Sequence, residues 1–251
     1  MGWEMARAYT CDFHIHTCLS PCGDLDMHPQ ALVKAARANN LDIIAICDHN
    51  SMENAGYVMR AAAGTEVTVL PGMEVTSAEE VHVVALLQDL VQAQTLQDLV
   101  YAHLDGLNNE DVFGVQAIVN ECGEVEGLNQ RLLIGATTLT LTSLVEAIHD
   151  LGGLAIASHI DREAFGIIGQ LGFIPPDVRF DALEVSAALG ISRARQRYPE
   201  LADYPFITSS DAHYIADIGR SVIRLRMEAP TLAEIRSALK HESGRSMVEP
   251  A

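Results

Sequence analysis

The chain has little positive charge: 16 Lys and Arg stand against 34 Asp and Glu over 251 residues, a formal net charge of −18. A long nucleic acid is therefore not expected as a partner, because an extended backbone contact needs clustered cations to displace counterions. Any attraction for phosphate must be local, since even three bound divalent cations would leave the whole chain acidic. The five cysteines are odd in number and form no C-x-x-C pair, which speaks against a disulfide framework and a zinc knuckle and fits a reducing cytoplasm. Long apolar runs are missing too. Stretches such as LGGLAIASHI are soon broken by polar residues, and the opening MGWEMARAYTCDF holds no continuous apolar core, so neither a membrane span nor export is expected. No repeat or low-complexity tract interrupts a composition that is 49% hydrophobic and 20% charged, and a soluble folded protein follows.

What is present is an alternation of strand-length apolar runs with helix-period segments. Candidate strands lie at 9–16, 42–48, 66–75, 82–87, 153–159, 181–187, 206–211 and 221–227. Between them, PQALVKAARANN carries Pro29 in its first turn, SLVEAIHDLG sets Ser143 three residues before Glu146, and TLAEIRSALKHE sets Thr231 three before Glu234; all are helix-start signals. Repeated β/α units predict an α/β fold, and seven or eight strands suit a barrel. Residues 88–140 break the rhythm and read as a helical insertion or lid within a single domain spanning 1–251.

The stretch CDFHIHTCLSPCGD places Asp12, His14 and His16 at alternate positions, on one face of the first strand, with Phe13 and Ile15 on the other. An H-x-H pair alone is weak, because two strand histidines are more often structural than metal-binding. Here, however, ligand-type residues recur at the ends of successive candidate strands: Asp48 and His49 in CDHN, Glu74 in GMEVTS, His82 in EVHVVALL, His159 and Asp161 in ASHIDR, Asp211 and His213 in SSDAH. The carboxyl ends of barrel strands converge on one rim, so residues far apart in the chain can share one cleft.

Taken in order, DFHIHT, CDHN, GMEVTS, HVVALL, SHIDR and SSDAH resemble the PHP family, named for polymerase and histidinol phosphatase, from residue 12 to about residue 220. The resemblance implies a distorted seven-stranded (β/α) barrel, TIM-like, that hydrolyses phosphoesters with two or three divalent metal ions, whether zinc, manganese or iron. It implies that His14, His16 and Asp211 hold one metal, that Glu74 bridges it to a second held by His82 and His159, and that His49 and His213 hold a third. The remaining ligand falls within TCLSPCGD, where Asp24 would suit a hard ion and Cys22 would suit zinc. Neutral imidazoles suit borderline metals, and two ions bridged by a carboxylate at roughly 3.5–4 Å fit an in-line displacement at phosphorus by a metal-held hydroxide. Asp12, behind the two histidines, is expected to orient them. Arg162 and Arg220 stand close to ligand positions and are expected to grip phosphate oxygens, with surface salt bridges as the plainer alternative; Arg131 is a weaker candidate of the same kind.

Other residues carry plainer readings. Glu184, inside an apolar strand, needs a partner and is read as structural or as an orienting group. Arg193, Arg195 and Arg197, at i, i+2 and i+4, share no helical face and are read as solvated. His28, His103, His149 and His241 stand away from strand ends, while Cys11, Cys18, Cys47 and Cys122 read as small apolar residues or idle thiols. The expected activity is a metal-dependent phosphoesterase, phosphatase or phosphodiesterase, acting on a small phosphorylated metabolite or nucleotide-type substrate. An amidohydrolase-like metal hydrolase is the alternative, since that barrel also opens with H-x-H, but no lysine stands in the interior strands to be carbamylated. A non-catalytic PHP module is the other; such modules often lose ligands, and this set is nearly complete.

Overall fold

Each of the eight apolar runs read as a strand forms one. The structure, a computed structural model, describes residues 6–248. In chain order the elements are β1 (Arg7–Ile15), α1 (Pro29–Ala38), β2 (Ile43–Ile46), α2 (Ala55–Ala61), β3 (Thr68–Thr76), β4 (His82–Leu86), α3 (Leu90–Ala102) and α4 (Glu110–Phe113). There follow β5 (Ala117–Val119), β6 (Val125–Leu128), α5 (Leu141–Asp150), β7 (Leu154–Ala157), α6 (Ile167–Leu171), β8 (Ala182–Glu184), α7 (Ile191–Arg197), β9 (Phe206–Ile207), β10 (Ile223–Met227), α8 (Leu232–Leu239) and β11 (Ser246–Val248). Among these, no helix is long and apolar enough to cross a membrane.

The α/β class stands and the sheet is curled, as a distorted barrel would be, but the expected seven strands are not found. Among the described residues one sheet of nine strands runs β11-β10-β1-β2-β3-β4-β7-β8-β9, and it is mixed. β4 lies antiparallel to β3 and to β7, and β10 lies antiparallel to β1. The reason at β4 is chain length: only the turn at 77–81 separates it from β3, where the Ser77 N–H donates to the Val81 carbonyl, and a parallel crossover needs a dozen residues or more. The sheet curls because Ala212, just beyond edge strand β9, pairs with Ile15 of β1. Closure is confined to that rim. Below it β9 has only two residues, and a seam is left between β9 and β10.

The insertion also differs from its expectation. Residues 88–140 contain α3 and α4 but also the antiparallel hairpin β5–β6, so it is mixed and not purely helical. Helix α5 starts earlier than the Ser143–Glu146 pair implies, because Thr140 caps it and accepts from the Ser143 N–H at 3.2 Å. The Pro29 start of α1 and the Thr231 cap of α8 are as expected.

Two apolar layers hold the sheet. Cys11 and Phe13 pack with Ile43 and Ala45 on one side, whereas Ile15 packs with Ile44 and Ile46 on the other. Phe13 and Ile15 therefore do not share a face: the β1–β2 register shifts between Asp12 and Ile15, and such an irregularity re-aims the residues beyond it.

Candidate metal centre

Six imidazoles and two carboxylates meet at the curled rim. His14 and His16 come from the end of β1, His49 from the turn after β2, Glu74 from β3, His82 from the start of β4, His159 from the turn after β7, and Asp211 and His213 from the segment after β9. Glu74 is the hub. Its Oε1 lies 3.3 Å from His14 Nε2, 3.0 Å from His82 Nδ1 and 3.2 Å from His159 Nε2. Its Oε2 lies 3.1 Å from His49 Nδ1 and 3.5 Å from His16 Nε2. Asp211 Oδ1 sits 3.4 Å from His14 Nε2 and 3.2 Å from His16 Nε2. Three groups have ligand atoms within 4.8 Å of one another: His14, His16 and Asp211; His49, Glu74 and His82; and His16, His49 and His213.

This packing fits a cation. His49 Nδ1 and His82 Nδ1 are buried, stand beside Glu74 oxygens, and yet make no hydrogen bond; His14 Nε2 and His16 Nε2 approach each other at 3.2 Å. Buried polar atoms left unpaired cost about 1–3 kcal/mol each. Oxygen and imidazole-nitrogen atoms crowded in this way form a donor set for divalent ions of the zinc, manganese or iron type, so the residues fit such ions. Burial would raise Glu74, but His82 and His14 hold its carboxyl well below the usual range. Burial would likewise raise Asp211, and His14 and His16 hold it low. His16 is held well below the ordinary histidine range by burial and by His213, and burial lowers His82. Ionised carboxylates beside neutral imidazoles are the ligand-competent state. Three imidazoles depart from this: against their burial, the carboxylates of Glu184, Glu74 and Asp211 raise His14, Cys22 and Glu74 raise His49 to about 10, and Cys22 and Asp211 raise His213.

The backbone at the rim is strained. His159 has φ 29°, Asn50 49°, Asp211 49° and Phe165 60°, all in the left-handed region, which side-chain-bearing residues occupy at a cost of order 1–3 kcal/mol. Phe165 stacks on His82 with ring centroids 4.4 Å apart, and its carbonyl accepts the His82 N–H.

Orientation of the histidines comes from residues other than Asp12. His14 Nδ1 lies 3.1 Å from Glu184 Oε1, which also accepts the His159 N–H. His16 Nδ1 meets Ser20 Oγ at 2.9 Å, and that hydroxyl donates to Asp48 Oδ1 at 2.7 Å. Asp12 instead accepts from the backbone N–H groups of Ser210 and Gly219. It therefore anchors the segment that carries Asp211 and His213. The alternation along β1 misdirects here because of the register shift next to Asp12. The Ser20–Asp48 link was missed; its one local signal is a serine four residues after His16.

The other candidates separate. Arg162 reaches Asp211 Oδ2 at 2.7 Å and is 47% exposed. Arg220 pairs with Asp217 at the surface, 71% exposed, and among the described residues touches no member of the cluster. Arg131 lies over the Tyr101 ring. Of the two residues in TCLSPCGD, Asp24 is exposed and its Oδ1 caps its own turn by accepting the Asp26 N–H. Cys22 is exposed too, but its thiol is the one beside the cluster, where His213 and His49 lower it to about 6 against partial desolvation.

Comparison with known proteins gives the same picture. A family model described as "PHP domain" matches residues 12–164, and one described as "PHP-associated" matches residues 193–243. YqxK, an uncharacterized protein of Bacillus subtilis (strain 168), is 29% identical over 111 residues, covering 42% of this chain and 28% of that protein. Endonuclease Q, a lesion-specific endonuclease of Pyrococcus furiosus, has a TM-score of 0.76 at 17% identity, with 96% of this chain and 58% of that one covered. A second endonuclease Q structure holds a 27-mer duplex with an abasic lesion at its active site, with TM-score 0.76, 18% identity and the same coverage. A Bifidobacterium adolescentis protein regarded as a metal-dependent phosphoesterase has a TM-score of 0.57 at 17% identity, over 81% of this chain and 87% of that one. The chain thus spans little more than half of endonuclease Q and under a third of YqxK. A duplex lies at the active site of endonuclease Q, so a fold of this kind is compatible with nucleic acid, against the expectation drawn from net charge.

Proposed function

Because the chain belongs to the PHP domain family, whose model covers residues 12–164, we propose that it hydrolyses phosphoesters at a centre of two or three divalent cations. The observation that carries the reading is Glu74, whose two oxygens face five imidazoles between them, the placement expected of a bridging ligand. His14, His16 and Asp211 would hold one ion; Glu74 and His82, with His159, a second; His49 and His213, with Cys22, a third. Asp24 is not needed in this assignment.

When bound, such ions lower the pKa of water toward neutrality and polarise phosphoryl oxygens. The chain's own groups then have separate tasks. Glu184 fixes the ring of His14, and the Ser20–Asp48 pair fixes that of His16, so both present Nε2 to the cluster. Asp12 holds the 210–219 segment in place. Arg162 spends one edge of its guanidinium on Asp211 and keeps further N–H donors for a substrate oxygen. The two lysines of the sequence, Lys34 in α1 and Lys240 at the end of α8, stand on elements that supply no member of the cluster, which weighs against the amidohydrolase alternative.

The substrate is a phosphomonoester or a phosphodiester. A nucleic acid diester is the second reading, supported by the likeness in fold to endonuclease Q over 96% of the chain. The test is a screen of a phosphomonoester, a simple diester and short oligonucleotides, intact or with an abasic site, using metal-stripped protein resupplied with manganese, zinc or iron. Metal-dependent hydrolysis of one class supports the reading and selects the substrate. No hydrolysis of any class with any metal contradicts it and favours a non-catalytic PHP module.

A further inference from the structure

The charge of the chain is unevenly spread. Ten of its 16 Lys and Arg, but nine of its 34 Asp and Glu, fall between residues 179 and 245. Part of that basic excess converges on the open seam of the sheet, where α7 and β9 stand opposite β10 and β11. There a cavity of about 770 Å³ is lined by Arg193, Arg195, Arg224 and His241, with apolar walls that include Ile191 and Met247. No Asp or Glu lines it among the described residues, in a chain where acids outnumber bases two to one. None of its lining residues belongs to the metal cluster.

Arg193 and Arg195 are exposed, as expected of solvated arginines. Both nevertheless reach this cavity, and Arg193 does so with its guanidinium tethered: Nε donates to the Leu189 carbonyl at 2.7 Å and a terminal nitrogen donates to the Ala188 carbonyl. Arg224 arrives from β10, whose alternate residues are exposed, opposite Val248 of β11. The Thr208 hydroxyl, also in the lining, is tied to Ser221 Oγ at 2.5 Å across the seam. A guanidinium held in place, as that of Arg193 is, is suited to capture of a phosphate, carboxylate or sulfonate, and apolar walls around so few polar groups are the usual make-up of a small-molecule site.

We propose that the seam cavity is a second ligand site, separate from the metal centre, for a small organic anion that joins an apolar body to a phosphate or carboxylate. The guanidiniums take the charged end, and the aliphatic walls take the body. The site needs both halves in one molecule.

The test uses the full chain and the fluorescent probe 8-anilinonaphthalene-1-sulfonate, displaced by hexyl phosphate, inorganic phosphate or hexanol. Hexyl phosphate is expected to displace the probe at a concentration at least about tenfold below that needed with either half alone, as each paired charge and each buried methylene adds affinity. Arg224→Glu is expected to raise that concentration about tenfold or more, and Arg224→Gln by less, with the thermal unfolding midpoint at the wild-type value. Displacement that is equal in Arg224→Glu and wild type overturns the proposal, and so does hexanol or inorganic phosphate matching hexyl phosphate. The readout needs no metal and no hydrolysis, so failure of the phosphoesterase reading leaves this outcome distinguishable.

Discussion

The rim and the seam both gather ionisable side chains, yet they satisfy them in opposite ways. At the rim Glu74 is 1% exposed and His14 and His16 are fully buried, with oxygen and nitrogen atoms 3.0–3.5 Å apart and Arg162 at the edge. Buried lone pairs facing one another have no solvent to relieve them, and a cation placed among them would offset that cost. At the seam the excess is of guanidinium groups beside an open cavity. Water screens them, and the ligand proposed for them is an anion on which the fold depends little. Burial thus determines which of the two sites the fold depends on, and charge determines what each accepts.

The sharpest way to break this contrast is Glu74→Ala. Loss of the shared ligand is expected to lower kcat/KM for the best phosphoester on the order of a thousandfold or more, while His241→Ala, at the seam, leaves it unchanged; equal losses would refute the division. Next in size is Glu184→Ala. Freeing the His14 ring is expected to weaken metal affinity roughly 10- to 100-fold, read by competition with a chromogenic chelator, with partial recovery in Glu184→Gln. Arg162→Ala is expected to cost about 10-fold in kcat/KM, the value of one charge-assisted hydrogen bond, with metal content preserved; loss of metal would instead make Arg162 a support for Asp211 alone.

The smallest effect concerns Asp12. Burial raises its carboxyl from 3.8 to about 6, although the N–H groups of Ser210 and Gly219 pull it down. The fold therefore favours the protonated acid: its contribution is full below about pH 4 and is lost as pH rises through about 6, by up to roughly 3 kcal/mol. In denaturant titrations with chelator throughout, the stability deficit of Asp12→Ala should be largest near pH 4 and shrink toward pH 7. A deficit that does not change with pH would show that Asp12 is not held in its acid form.

Much of the rim was legible because its signals are local. His14, His16, Glu74 and His82 stand on or at the ends of short apolar strands, and strand ends that converge bring them together. What was not legible depended on contacts across the chain. The antiparallel turn into β4, the β5–β6 hairpin and β11 follow from short connections and pairing partners, which apolar periodicity does not encode. Glu184 lies 170 residues from His14, so its role appears only when β8 is folded beside β7. Cys22 and Asp24 differ in the direction of one tight turn, where Asp24 is drawn to the Asp26 N–H. Arg193 and Arg195 are exposed, as expected; that both also line one cavity was not legible, because long flexible side chains on a seven-residue helix can reach it from positions that do not share a face.

The most direct test of the central claim is the metal content of the purified full-length chain, measured by inductively coupled plasma mass spectrometry beside Glu74→Ala. Wild type is expected to carry about two or more divalent ions per chain, and Glu74→Ala fewer than about one, in line with a bridging carboxylate. A wild-type chain that holds no stoichiometric metal and still hydrolyses a phosphoester in excess chelator would contradict it.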